Sequence, residues 1–272
     1  MSLSKRALIT GASSGIGAAL AREYDRRGFS VALLARRVDR IEGLAQSLQR
    51  AKAIPCDVCD DASVEAAFEA AEDAFGGLDV VIANAGIGVN GTVESLSLDD
   101  FRRQMETNVF GAVRTVKAAT PALRVSKGSL ALVGSVSGFL SLPGTAAYAM
   151  SKFAVRALAE ALVGELSPDG ISVTHVAPGF VESEIRMVDN AGVYQDGKRD
   201  PIPKMFVMSS ERAAREIADA IEARRSEVVL TSLGKVATWA TRRFPGGIRA
   251  ATKLASKRIV GVVDPIGKPR GT

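Results

Sequence analysis

Short apolar, β-branched runs alternate along this chain with longer stretches in which apolar residues return every three to four positions. The first pattern reads as strands buried on both faces, and the second as helices laid across a sheet. Strands are predicted near Arg6 to Thr10, Ser30 to Ala35, Lys52 to Cys56, Leu78 to Ala83, Ser129 to Gly134, Ile171 to Val176 and Glu227 to Leu230. Helices are predicted near Ile16 to Arg27, Arg37 to Arg50, Ala62 to Phe75, Leu98 to Val125, Ala147 to Leu166 and Glu211 to Arg224. Strict alternation of this kind predicts an α/β, Rossmann-type doubly wound fold, with a parallel sheet of about seven strands and helices on both faces.

Local chemistry marks several boundaries. Gly28 is expected at positive φ where a helix ends, Asp61 as the N-cap before Ala62, and Pro168 to Gly170 as the close of the helix at Leu166. Val181 to Met208 breaks the pattern, because it mixes apolar residues with Asn190, Gly192, Gly197, Pro201 and Pro203. An excursion of that length from a strand end reads as a lid. With no internal repeat and no long linker, the chain reads as a single domain over 1–232, its lid over about 181–208, and a helical C-terminal extension over 233–272.

Composition narrows the class. The 272 residues are 47% hydrophobic and 24% charged, and the 26 Gly and 10 Pro are too few for a disordered chain. The net charge of +5 suggests nucleic acid until its location is considered. Residues 230–272 hold nine Lys and Arg against Asp264 alone, which leaves 26 basic and 29 acidic groups in the rest. The basicity therefore belongs to the tail, and no nucleic-acid partner is expected. In the tail, apolar residues interleave with Lys and Arg around Phe244-Pro245-Gly246-Gly247. Packing on the body or on another subunit is the first expectation, and peripheral contact with an anionic membrane is the alternative.

No run approaches the roughly 18 apolar residues of a membrane span. Cys56 and Cys59 form one C-x-x-C pair without a second, so neither a disulfide scaffold nor a metal site is expected, and a reducing, cytoplasmic setting is. His175 reads as a satisfied strand histidine. Trp239 is open between interface, membrane anchor and core.

The first strand runs into Thr10-Gly11-Ala12-Ser13-Ser14-Gly15-Ile16-Gly17 and a helix follows at once. Glycines at 11, 15 and 17 let the turn tighten and let backbone approach a pyrophosphate at the helix N-terminus, so a dinucleotide is the natural occupant. After the second strand come Arg36 and Arg37, where an acid would grip a ribose 2′-hydroxyl. A guanidinium there favours a 2′-phosphate and hence NADP(H), with Arg36 as the main contact and Ser13 or Arg37 assisting. Tyr148 and Lys152 lie four residues apart on a predicted helix and share one face. An ammonium beside a phenol favours its ionisation, which fits a proton donor and acceptor.

The ordered set of the glycine loop, Asn84-Ala85-Gly86, Asn108, Ser135, Tyr148-x-x-x-Lys152 and Pro178-Gly179 resembles the short-chain dehydrogenase/reductase family over residues 5 to about 232. The resemblance implies that Tyr148 exchanges a proton with the substrate oxygen while Ser135, thirteen residues earlier, holds that oxygen, with Ser137 the nearby competitor ranked below it. It implies that Lys152 bonds the nicotinamide ribose, and that Asn108 supports a water linking Lys152 to solvent. Asp57 with Val58 would meet the adenine, Asn84, Ala85 and Gly86 would pack on the cofactor, and backbone from Pro178 and Gly179 to Val181 would meet the nicotinamide. Two positions depart from the family pattern: Leu132-Val133-Gly134 precedes Ser135, and Ser183 stands where the family often has Thr. Family members are often homodimers or homotetramers, which is the expectation here.

Phe139, Leu140 and Leu142, with Phe180, Val181, Ile185, Met187, Val188, Met205 and Phe206, would give the cleft an apolar wall. Such a wall suits a lipophilic carbonyl or alcohol in the range of steroids, retinoids or fatty chains, with Phe139, Phe180 and Met187 as substrate contacts. The leading reading is an NADP(H)-dependent oxidoreductase. The alternatives are an NAD-dependent alcohol dehydrogenase and a cofactor-sensing binding protein on the same fold.

Overall fold

The computed structural model describes residues 4–190, 193–195 and 202–263. Strands β1 (Arg6–Thr10), β2 (Ser30–Ala35), β3 (Ala51–Pro55), β4 (Val80–Ala83), β5 (Ser129–Val133), β6 (Ser172–Ala177) and β7 (Glu227–Val229) form one sheet in the order β3-β2-β1-β4-β5-β6-β7. Every pairing is parallel. This is the doubly wound fold that alternation predicts. The strand order reverses between β1 and β4, and the crevice beyond their C-terminal ends is the fold's natural ligand site.

Two cores explain the apolar runs. Ala7 and Ile9 of β1 face one side with helices α1 (Gly15–Arg26), α2 (Val38–Gln46) and α7 (Ser210–Glu222). Leu8 faces the other, with α3 (Asp61–Phe75), α5 (Gly111–Ser126) and α6 (Ala146–Leu166). The inner strands thus bury both faces and have no polar alternation to display, whereas the edge strands β3 and β7 keep exposed or half-buried positions. Burying one such leucine or isoleucine is worth about 1.5–3 kcal/mol.

Several boundaries move. The helix expected over Arg37 to Arg50 ends at Gln46. The N-cap of α3 is Asp60, whose carboxylate accepts the Ser63 amide at 2.8 Å, and Asp61 is already helical. Gly28 does adopt positive φ, at 82°. The single helix expected over Leu98 to Val125 is two: α4 (Leu98–Met105), opened by a Ser97/Asp100 capping box, and α5, joined by a π-helical turn over Glu106–Phe110. The π turn lies inside an unbroken run of helical residues with no Gly or Pro at the junction before Gly111, so the sequence predicts one helix there.

The Val181 to Met208 excursion leaves the sheet as expected. Its two ends are held together by a parallel bridge, with the Met208 amide donating to Phe180 and the Glu182 amide to Met208, both at 2.9 Å. Short 3-10 turns occur at Glu184–Arg186 and Lys204–Phe206, and residues 191–192 and 196–201 of the expected lid lie outside the described residues. In the tail, α8 (Ser232–Arg243) and α9 (Pro245–Val263) follow β7. Among the described residues no helix is long and apolar enough to cross a membrane.

Candidate active site

The glycine bend is built as a cradle. Gly11 and Gly15 have φ of 67° and 53°, the left-handed region that other residues enter at a cost. A Cβ on Gly17 would come within 2.3 Å of the Gly11 carbonyl oxygen and 2.6 Å of the Asn84 amide nitrogen. One on Gly11 would meet the Ala85 backbone at 2.8 Å. Three glycines therefore let the end of β1, the start of α1 and the segment after β4 approach as bare backbone. Asn84 locks the junction by donating to the carbonyls of Thr10 and Gly11 at 2.9 and 3.3 Å, and the Thr10 hydroxyl accepts from the Asn84 and Ala85 amides.

Helix α1 begins with no side-chain cap from Ser14 and no acid in its first turn. Its amide groups are thus turned toward the bend, where they can receive an anion. A dinucleotide pyrophosphate fits this donor set.

The two arginines after β2 differ in what they touch. Arg37, expected to assist, donates to the Ser13 hydroxyl at 2.9 Å, to that of Ser14 at 2.8 Å and to Glu184 at 2.8 Å. Arg36, expected as the main contact, projects into solvent with one guanidinium nitrogen 4.0 Å from Asp57. Asp57 meanwhile accepts the Cys59 amide at 3.0 Å, and Val58 is buried against Gly111. Arg40 also reaches Glu184, at 2.7 Å, and Ser183 faces the Cβ position of Gly15 at 3.2 Å. The root of the excursion is therefore tied to the glycine bend.

Tyr148 and Lys152 occupy the first turns of α6, which is directed at the crevice. The Lys152 ammonium is buried, donates to the Val133 carbonyl at 3.0 Å, and lies 5.7 Å from the Tyr148 ring centroid. Burial pushes it down to about 8. Burial pushes the Tyr148 phenol up, while a hydrogen bond with the Ser135 side chain and the nearby Arg186 cation pull it back. Ser135 lies two residues past β5 and its hydroxyl accepts the Ser137 amide at 3.0 Å, which fixes it at the start of a short 3-10 turn. Pro178 anchors that turn from β6 by accepting the Val136 amide at 2.9 Å.

Asn108 sits in the π-helical turn and is buried. Its Oδ1 accepts the Ile87 amide at 2.8 Å, and its Nδ2 donates to the Ile87 carbonyl and to the Ser151 hydroxyl, both at 3.1 Å. Ser151 in turn donates to the Tyr148 carbonyl at 2.7 Å. Asn108 so joins the Gly86 segment to the tyrosine's own helix, and Gly86 lies with its Cβ position 3.2 Å from Asn108 Oδ1 and 3.7 Å from Lys152 Nζ. Gln104, which sequence reasoning passed over, reinforces this link from one turn earlier by accepting the Val89 amide at 2.7 Å and donating to the Ile87 carbonyl at 2.9 Å.

Other expected residues lie elsewhere. Phe139 was expected on the substrate wall but is buried, with the Arg156 and Arg242 guanidiniums 4.1 and 4.9 Å from its ring centroid and His175 at 5.8 Å. Cations from α6 and α8 hold it as a packing residue. The Val181 side chain belongs to the core beneath the site. Gly179 lets the Thr231 hydroxyl approach, at 2.3 Å from its Cβ position. Phe180 and Met187 keep partial exposure on the excursion, and Ile185 lies over Gly88. His175 is buried in β6 as expected but is not satisfied: among the described residues neither ring nitrogen has a hydrogen-bond partner, and Glu227 approaches only to 3.8 Å. Burial pushes it down to about 4, so it stays neutral near pH 7. Trp239 is 62% exposed, which removes the core reading.

The family model described as short chain dehydrogenase matches residues 5–193. An uncharacterized oxidoreductase of Staphylococcus aureus is 34% identical over 189 residues, 68% of this chain and 82% of that protein. Dehydrogenase/reductase SDR family member 7B of Bos taurus is 33% identical over 236 residues, 82% of this chain and 72% of that protein. Among solved structures, an alcohol dehydrogenase from the archaeon Thermococcus sibiricus complexed with 5-hydroxy-NADP is similar with a TM-score of 0.75 at 30% identity, covering 85% of this chain and 97% of that one. The 3-ketoacyl-(acyl-carrier-protein) reductase from Brucella melitensis complexed with NADH matches with a TM-score of 0.75 at 27% identity, covering 85% of this chain and 98% of that one.

Proposed function

This chain belongs to the short-chain dehydrogenase family of oxidoreductases, and from that premise we propose that it is NADP(H)-dependent and acts on a lipophilic carbonyl/alcohol pair. The observation that carries the reading is the juxtaposition of Ser135, Tyr148 and buried Lys152 beside a bare glycine bend at the switch point of the sheet. The bound nicotinamide would supply or accept the hydride. All other work falls to the chain.

Gly11, Ser13, Ser14, Gly15, Ile16 and Gly17 would hold the pyrophosphate. Arg36 would turn from solvent to the 2′-phosphate, with Arg37 already bonded to the serines beside it. Asp57 and Val58 would flank the adenine. Asn84, Ala85, Gly86, Pro178, Gly179, the Val181 backbone and Ser183 would bound the nicotinamide end. In reduction Tyr148 gives its phenolic proton to the substrate oxygen and in oxidation takes it back, while Ser135 holds the same oxygen. Lys152 would keep a positive charge near the phenol and the ribose, and Asn108 would hold the Ile87 carbonyl and Ser151 in place for a proton path past Lys152.

Phe180 and Met187, with the exposed Met205 and Phe206 across the excursion, support an apolar substrate such as a steroid-, retinoid- or fatty-chain compound. The exposed Phe110, Met150 and Phe153 on the outer faces of the α4–α6 region support assembly as a homodimer or homotetramer. The unpaired Cys56 and Cys59 fit a reducing, cytoplasmic compartment. Fluorescence titration with NADPH and NADH, followed by turnover of lipophilic ketones beside small polar sugar ketones, tests the reading. NADPH should bind more tightly and lipophilic ketones should turn over faster; comparable turnover of both ketone classes removes the substrate assignment.

A further inference from the structure

Helix α8 carries its amphipathicity reversed. Its buried residues are Gly234 and Thr238, and a Cβ on Gly234 would come within 2.9 Å of the Val136 side chain in the turn after Ser135. Thr238 donates to the Gly234 carbonyl at 2.9 Å, so this narrow inner face is satisfied within the helix. Arg242 secures the far end through Glu227 at 2.9 Å and the Phe139 ring.

The large apolar side chains point the other way. Leu233, Val236 and Trp239 are 50%, 61% and 62% exposed. At about 100° per residue, Val236 and Trp239 fall within about 60° of one another around the axis, and Arg243 falls between them. Phe244 meets Trp239 edge-on with ring centroids 5.8 Å apart and extends the stripe toward α9, where Leu254 is exposed as well. A surface helix ordinarily turns its apolar stripe inward. A contiguous stripe facing outward marks an interaction surface.

Charge selects the occupant. From Ser232 to Val263 the chain has seven Lys and Arg and no Asp or Glu. A second copy docked two-fold through the same face would set this cationic surface against itself. An anionic bilayer surface meets both features, since headgroups take the cations and the acyl boundary takes the apolar side chains, with tryptophan at the level between them. We propose that α8 and the start of α9 dock on an anionic phospholipid membrane, with Val236, Trp239 and Phe244 at the acyl boundary and Lys235 and Arg243 among the lipid phosphates. The surface is separate from the glycine bend, and the proposal does not depend on the reaction or its cofactor.

Trp239 is the only tryptophan in the chain, so its emission reports on this surface alone. Full-length protein titrated with phosphatidylserine/phosphatidylcholine vesicles should show a blue shift and should co-sediment, and raised salt should release it. Pure phosphatidylcholine vesicles should give neither signal. Lys235→Ala and Arg243→Ala should each lower partitioning roughly fivefold. Val236→Ser, which alters only a solvent-facing side chain and keeps the tryptophan, should lower it roughly tenfold. The proposal is overturned by no shift and no sedimentation on anionic vesicles, by equal binding to neutral ones, or by a shift that tracks protein concentration without lipid, which would assign the stripe to self-association.

Discussion

The buried Lys152 ammonium donates to the carbonyl oxygen of Val133 at 3.0 Å, joining the end of β5 to α6 one turn beyond Tyr148. That contact holds a cation in a place that disfavours it. Burial takes Lys152 from its ordinary 10.5 down to about 8, so between those values the unfolded chain binds more protons than the folded one. Stability from this group should therefore rise as pH climbs from about 8 toward about 10.5. Urea midpoints measured across that window should climb in the wild type, and Lys152→Met should flatten the slope. Equal slopes would contradict a buried, charged Lys152.

Tyr148→Phe removes only the phenolic oxygen. Turnover should fall about 10²- to 10⁴-fold, the range for one general acid, while NADPH affinity by fluorescence stays within a factor of two or so, since the glycine bend is untouched. Turnover close to wild type would remove Tyr148 from the proton-transfer role.

The centre of the sheet was legible because its strands bury both faces: β1 and β2 lie at the bounds that their apolar runs predict. What pattern could not show were contacts closed by distant residues. Phe139 reads as a wall residue beside Ser135, yet Arg242, far along the chain, covers its ring. Nothing near Glu184 signals that Arg37 and Arg40 will hold it. Gln104 offered a readable clue, since it precedes Asn108 by four residues on a helical run and so shares its face. The π-helical turn had no such clue.

The close approach around the glycine bend gives a contrasting pair of substitutions. Gly17→Ala places a methyl 2.3 Å from the Gly11 carbonyl oxygen, and overpacking of that kind costs about 1–3 kcal/mol. Gly164 lies in α6 with nothing among the described residues within 4 Å of its Cβ position, so Gly164→Ala should stabilise by about 0.5–1 kcal/mol. Thermal melts should move in opposite directions, and only Gly17→Ala should also weaken NADPH binding. A neutral Gly17→Ala would mean that the bend has slack.

Arg36 and Arg37 should separate cofactor choice from loop order. Arg36 touches little besides Asp57 at 4.0 Å, so Arg36→Ala should leave NADH affinity alone and weaken NADPH roughly 10- to 100-fold, as loss of a charged hydrogen bond does. Arg37→Ala releases the Ser13 and Ser14 hydroxyls and should weaken both cofactors. Equal losses of NADPH and NADH in Arg36→Ala would place the 2′-phosphate elsewhere.

Glu184 connects the excursion to the glycine bend through Arg37 and Arg40, at 2.8 and 2.7 Å. Burial raises its carboxyl, but the two guanidiniums outweigh that and hold it below the ordinary 4.5. A depressed acid contributes its stability above that ordinary value and loses it as pH falls through the folded one. Partly exposed ion pairs are worth under about 1 kcal/mol each, so Glu184→Gln should speed proteolytic cleavage within residues 181–208 about two- to fivefold at neutral pH. The wild type should approach the variant once the carboxyl is protonated, below pH 4.5. NADPH should also leave the variant faster in stopped-flow displacement, because the segment released is the one that abuts Gly15 through Ser183. Identical cleavage and release rates would show that the carboxylate tethers nothing.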